Sequence, residues 1–173
     1  MKAIPDLGKL SVNISPRQFR QATFVDRVKT TLHKHRVAPR RLMIEVTEGS
    51  VIDDIEDSVW KLQTLQDLGI DIAIDDFGTG YSSLSYLKTL PLNQLKIDRS
   101  FVRDIPDDSN DAVIVETIIV MARHLGLNVI AEGVETQEQL QFLQSRGCHC
   151  YQGYYFSRPL CSEDFNRLDF NDR

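Results

Sequence analysis

Three helical runs in this chain end on the same device. Leu68-Gly69-Ile70, Leu125-Gly126-Leu127 and Arg146-Gly147-Cys148 each place glycine where a helix turns out through left-handed backbone, and each leads directly into a β-rich run. Helices that hand over to strands through such short turns imply parallel strands joined by right-handed crossovers. The runs read as strands are Leu10–Ser15, Leu42–Thr47, Asp71–Asp75, Gln94–Asp98, Asn128–Glu132 and His149–Tyr155. Helices are expected near 22–36, 53–68, 82–89, 109–125 and 136–146, with a last one after Ser162. In the second of these, Ile55, Val59, Leu62, Leu65 and Leu68 share one face. Thr136 with Gln139 three residues on reads as a capping box. No low-complexity segment, charge block or linker divides residues 1–173, so a single domain is expected.

Two architectures fit this alternation, an open doubly wound sheet and a barrel, and the strands decide between them. Side chains alternate faces along a strand. Leu10, Val12 and Ile14 oppose Ser11, Asn13 and Ser15; Leu42, Ile44 and Val46 oppose Met43, Glu45 and Thr47. Ile72 and Ile74 oppose Ala73 and Asp75, Leu95 and Ile97 oppose Gln94, Lys96 and Asp98, and Val129 and Ala131 oppose Ile130 and Glu132. One face is aliphatic, and the other turns polar toward the C-terminal end. A doubly wound sheet is apolar on both faces. A barrel has its aliphatic side against the helices and its functional side chains at the C-terminal strand ends. The expectation is an α/β barrel of the TIM type.

Charge and composition narrow the chemistry. A net charge of −5 argues against a protein that coats polymeric nucleic acid, yet leaves room for a small phosphorylated ligand if metal ions supply positive charge. No apolar run approaches the roughly 18 residues of a membrane span, and the start MKAIPDLGK is not a signal peptide. Neither membrane contact nor export is expected from this segment. The three clustered cysteines, Cys148, Cys150 and Cys161, suit reduced thiols in the cytoplasm, with burial expected for those near the strand start.

The barrel mouth would gather Asn13, Glu45, Asp75, Asp76, Glu132 and Gln152 around Lys96 and Asp98. Four converging carboxylates cannot all stay ionised without compensation. Such oxygen ligands match hard divalent cations, Mg²⁺ or Mn²⁺. A pair of such ions clamps a phosphodiester and generates hydroxide for in-line attack, with Lys96 placed to orient it or to neutralise developing charge. One acidic residue at a strand end is usually a helix cap or a solvated turn. Five strands delivering polar residues at one level is a different matter. Phe77-Gly78-Thr79-Gly80 lacks the Lys-Ser/Thr of a phosphate loop, and Cys148-His149-Cys150 lacks a second zinc half-site. Tyr81, Tyr86, Tyr154 and Tyr155 read as packing or interface residues, and His33, His35 and His124 as surface or helix-end residues.

The strings SVNIS (11–15), IEVTE (44–48), IDDFGTGYSSLSYL (74–87), LKIDRSFV (95–102), AEGVET (131–136) and QGYYFSRP (152–159) closely resemble the EAL phosphodiesterase family in order and spacing. The resemblance covers essentially the whole chain. It implies a modified (β/α)8 barrel that opens cyclic di-GMP to linear pGpG with two Mg²⁺ or Mn²⁺ ions. It further implies that Asn13, Glu45 and Asp75 are metal ligands, that Asp76 serves the second metal and that Glu132 completes the site. Lys96 would contact the nucleophilic water, and Gln152 would line the catalytic pocket. Glu48 and the loop Asp76–Ser83, including Gly78 and Thr79, resemble the loop-ordering and dimerisation elements of the family, with Asp98 and Glu135 as supports and a homodimer implied.

The family pattern begins with a strand, a helix and a second strand upstream of VNIS, whereas this sequence starts just before VNIS. The expectation is therefore an incomplete barrel of about six strand-helix units, N-terminally truncated. It lacks the Glu-Ala-Leu motif, whose glutamate is a further metal ligand, and a nearby phosphate-gripping arginine. The parent protein would carry sensory or GGDEF domains. Two function classes follow: a cyclic di-GMP phosphodiesterase, weak or inactive as this chain alone, or a non-catalytic EAL-like module that binds the dinucleotide or a protein partner.

Overall fold

A computed structural model describes residues 8–80 and 84–165, the side chains of 84 and 85 excepted. Six strands alternate with helices: β1 (Leu10–Ile14), α1 (Pro16–Phe19), α2 (Phe24–His35), a 3₁₀ turn (Pro39–Arg41), β2 (Leu42–Thr47), α3 (Glu48–Ile52), α4 (Ile55–Asp67), β3 (Asp71–Phe77) and α5 (Leu84–Leu87). Then come β4 (Gln94–Ile97), α6 (Arg99–Val102), α7 (Ser109–His124), β5 (Asn128–Glu132), α8 (Gln137–Ser145), β6 (Cys150–Gln152) and α9 (Ser162–Phe165). All pairings are parallel and the order is β1-β2-β3-β4-β5-β6. A doubly wound sheet reverses its strand order; this one never does. It is the wall of an incomplete barrel.

Residues expected to face the helices do so in the middle of the sheet. Ile44, Val46, Ile72, Ile74, Leu95, Ile97 and Ala131 are all buried in one core with Leu62, Leu65, Val115, Ile119 and Leu143 from the helices. On β1, Leu10 is 58% and Val12 38% exposed, as an edge strand of an incomplete barrel should be. One expectation is corrected: on α4, Leu62 and Leu65 are buried but Leu68 is exposed, since it is the C-cap residue where the helix turns away.

The glycine device works as the sequence implied. Gly69, Gly126 and Gly147 have φ of 91°, 71° and 87°. Ile70, Leu127 and Cys148 each donate a backbone bond to the carbonyl five residues back, on Leu65, Ala122 and Leu143, which is the Schellman arrangement. The end of α2 repeats these bonds, Val37 to Leu32, with Arg36 in the left-handed position at φ 54°. No glycine marks that end, so its geometry was hidden. Four short helical turns were also missed: α1, the 3₁₀ turn, α3 and α6. The first had a readable signal, Ser15-Pro16 with Gln18, which forms a full capping box.

β6 is shorter than expected, and Gly153 shows why. A Cβ there would sit 2.1 Å from the carbonyl oxygen of Val134, so the backbone after Gln152 packs directly on the loop that follows β5. Positions 82 and 83 of the expected helix at 82–89 lie outside the described residues, as does Tyr81. Among the described residues, no helix is long and apolar enough to cross a membrane.

Candidate active site at the strand ends

Lys96 on β4 is the hub, 3% exposed, with its Nζ 2.6 Å from Glu45, 2.8 Å from Asp75 and 2.7 Å from Glu132. These carboxylates come from β2, β3 and β5. Glu45 lies two strands away, so the sheet must be concave for the two side chains to meet. Burial alone would lower the pKa of Lys96, but hydrogen bonds to Asp75, Glu132 and Glu45 hold it above the ordinary lysine range. All three ammonium donors are therefore committed to carboxylates.

The neighbouring strand carries a bulge. Ile74 pairs with Leu95 and Phe77 with Ile97, so Asp75 and Asp76 together stand opposite Lys96. Asp76 takes left-handed backbone at φ 53°, a conformation rare for residues other than glycine. A bulge re-aims a side chain at a sheet's functional rim. Here it lets two consecutive aspartates serve one site: oxygens of Asp75, Asp76 and Glu132 lie within 4.8 Å of one another. Burial, with the charges of Asp75 and Asp98, raises the Asp76 pKa. Burial likewise raises that of Glu132, against the pull of Lys96. Asp98 goes the other way. Its burial is outweighed by bonds from the Ser100 hydroxyl and backbone, which hold it low while it caps α6.

Asn13 stands exposed at the end of β1. With its amide nitrogen turned inward, it donates to Glu45 Oε2 at 3.0 Å and Asp75 Oδ2 at 3.1 Å. Gln152 on β6 pairs in register with Glu132, and its side chain is exposed. Glu48 sits apart from the hub, buried at the start of α3, where its Oε2 accepts from the Gly78 N–H at 3.3 Å. It also lies against Gly80, where an added Cβ would come 3.2 Å from its Oε1. Thr79 bonds back to the Asp76 carbonyl at 2.9 Å. Glu48, Gly78 and Thr79 thus shape the loop after β3, whose residues 81–83 lie outside the described ones. Glu135 is exposed, and its backbone N–H bonds to Gln139.

The cysteines divide. Cys148 is buried and its thiol is pushed up to about 11 by burial, whereas Cys150 and Cys161 are exposed and all three are free. The expectation of a buried Cys150 is corrected: it lies on the uncovered edge strand. His33, His35 and His124 are exposed, as read from the sequence.

A family profile described as the EAL domain matches residues 2–159. The chain belongs to the EAL domain family. It is 46% identical over 154 residues to the bifunctional diguanylate cyclase/cyclic di-GMP phosphodiesterase MucR of Pseudomonas aeruginosa, covering 89% of this chain and 22% of MucR. It is 47% identical over 152 residues to the cyclic di-GMP phosphodiesterase NbdA of the same organism, covering 88% of this chain and 19% of NbdA. The chain thus spans about a fifth of the length of these curated relatives. Its structure superposes on the MucR phosphodiesterase in complex with c-di-GMP with a TM-score of 0.88 at 45% identity, over 91% of this chain and 64% of that one. It matches Klebsiella pneumoniae BlrP1, in a manganese/cy-diGMP complex, with a TM-score of 0.79 at 37% identity, over 87% and 39%. The incomplete TIM-type barrel is thus the EAL fold.

One contributor was not recognised from the sequence. Gln139, read there as half of a capping box, also donates its amide to the Arg103 carbonyl at 2.9 Å. Sequence spacing carries no signal for that bond, because its partner lies 36 residues away.

Proposed function

We propose that this EAL domain is the metal-binding and hydrolytic core of a cyclic di-GMP phosphodiesterase, cleaving one P–O3′ ester to release linear pGpG. One observation carries the reading: three carboxylates surround one buried ammonium, that of Lys96. Counted as ions, they leave two negative charges over, with Asp76 adding to them, which is the deficit a divalent cation fills. The carboxylate oxygens of Glu45, Asp75, Asp76 and Glu132 suit Mg²⁺ or Mn²⁺, and Asn13 would join them by turning its amide oxygen inward. When bound, such ions supply Lewis acidity toward the phosphodiester. The names of MucR and NbdA, and the c-di-GMP bound to the MucR phosphodiesterase, support the substrate.

The chain's own residues have distinct tasks. Lys96 stays protonated, so it acts as a fixed positive charge and donor, not as a general base. A reacting water reaches its Nζ only in place of a carboxylate. Glu48 holds the loop after β3, and Gln152 offers an exposed amide to substrate beside Glu132. Asn13 and Gln152 stand on edge strands, so water enters the cluster and weakens its electrostatics. Hydrolysis by this chain alone is accordingly slow. The reading places the domain in the cytoplasm, where its free thiols stay reduced, in a longer protein with sensory or GGDEF domains. A homodimer fits the exposed Val113, Ile114 and Val120 of α7 and the bare edge of β1.

Incubating the chain with cyclic di-GMP and Mn²⁺, with chromatography of products and light scattering of the same sample, tests this. Slow pGpG formation, reduced roughly a hundredfold or more in Asp75→Asn, and a dimeric mass are expected. Equal rates in the two proteins would sink the catalytic assignment. Binding without turnover would favour a non-catalytic module.

A further inference from the structure

Gln139 is 5% exposed and engaged from three directions. Its Oε1 accepts from the backbone N–H of Glu135 at 2.8 Å and of Thr136 at 3.0 Å, while its Nε2 donates to the carbonyl of Arg103. A capping box needs the acceptor alone, which Glu supplies as well as Gln. The donor half of this amide reaches another element. Arg103 is the C-cap of α6, and α6 begins at its N-cap Asp98, two residues after Lys96.

The same two segments meet again at their other ends. Gly133 has φ 73°, and a Cβ on it would lie 2.6 Å from the Cβ of Arg99. The loop after β5 therefore rests on the first residue of α6 at Gly133 and is tied to its last turn through Gln139. Glu132 stands one residue before that loop, and Asp98 one residue before that helix.

We propose that Gln139 is a positioning residue of the metal centre, clamping the loop behind Glu132 to the helix that follows Lys96 and so fixing Glu132 against the Lys96 ammonium 2.7 Å away. This rests on the metal-binding reading above. The clamp needs a side chain that accepts and donates at once, which a carboxylate at neutral pH does not do. Groups that orient metal ligands from behind typically change metal affinity by roughly 10- to 100-fold when lost.

Two kinds of substitution separate the clamp from the helix cap. Gln139→Glu keeps acceptors for Glu135 and Thr136 but turns an oxygen toward the Arg103 carbonyl; Gln139→Met, of similar length, serves if the buried carboxylate prevents folding. Thr136→Ala removes the Thr136 hydroxyl from the cap and leaves the clamp. In calorimetric titration of this chain with Mn²⁺, the Gln139 variant is expected to bind about tenfold more weakly, and Thr136→Ala within about twofold of wild type despite a lower melting temperature. Unchanged affinity in the Gln139 variant, or an equal loss in Thr136→Ala, would overturn the clamp. Amide hydrogen exchange without metal gives a second readout. Faster exchange at 99–103 together with 133–136 in the Gln139 variant supports the clamp, and unchanged protection at 99–103 refutes it. A wild-type chain that binds no Mn²⁺ would refute the metal reading itself, and exchange alone would then decide whether the two segments are coupled.

Discussion

The middle of the sheet and its edges carry the same sequence pattern and meet opposite fates. On β2, β3 and β4 the aliphatic set is sealed under helices, and the polar set is drawn into a network around Lys96. On β1 the identical alternation leaves Leu10 and Val12 in solvent, and on β6 Cys150 and Gln152 are exposed. Alternation tells which residues share a face. Whether that face is covered depends on having a neighbour on both sides, which no strand encodes within itself. The same holds for charge: Glu45 tolerates burial because Lys96 reaches it from two strands away, while Asn13 at the edge keeps contact with water.

The contrast is most severely tested at its centre. Lys96→Met should lower stability to urea unfolding by about 3–5 kcal/mol, since it leaves buried carboxylates without their partner. Millimolar Mn²⁺ should restore much of the loss by supplying the missing positive charge. An unchanged urea midpoint would mean that the cluster is solvated and that the middle of the sheet resembles its edges. Next in size, Ile74→Ala in β3 should cost about 2–5 kcal/mol, against about 0.5 kcal/mol or less for Val12→Ala in β1. Equal losses would show that β1 is covered in solution, sharpening the dimer proposal. The smallest effect concerns thiols on either side of the divide. At pH 8, a thiol reagent should label Cys150 and Cys161 at once and Cys148 only on unfolding. Burial raises the Cys148 pKa from 9.0 to about 11. Between those values the unfolded chain loses its proton while the folded one keeps it, so stability falls as pH rises. Cys148→Ala should flatten that decline; an identical slope in the variant would place the titrating group elsewhere.

Much of this was legible in the sequence, for reasons that can be named. The three glycine exits were readable because only a left-handed position rewards glycine there, and the barrel because polar residues recur at one level of successive strands. Arg36 was not readable, because a non-glycine residue occupies that same position without announcing it. The pairing of Asp75 and Asp76 could be anticipated, yet the bulge that accomplishes it depends on the register with β4. The second bond of Gln139 is a tertiary fact without a signal in the sequence spacing, and the glycine at 133 likewise acquires meaning only beside Arg99. The open edge at β1 was implied by the incomplete barrel, although the alternation within the strand does not show it.

The strictly consecutive order of the strands bears on how the sheet is assembled. Each strand lies beside the one made just before it, and no later segment has to be threaded between two earlier ones. A chain emerging from the ribosome can therefore lay down its βα units one at a time, each finding its template already in place. Loops are closed over one unit at a time, which keeps the entropic cost of each step small. The carboxylate cluster is the exception to this stepwise growth. Glu45 and Asp75 are placed before Lys96 arrives to offset part of their charge, and Glu132 follows last, so the site is complete, with its excess of negative charge, only after β4 and β5 have docked.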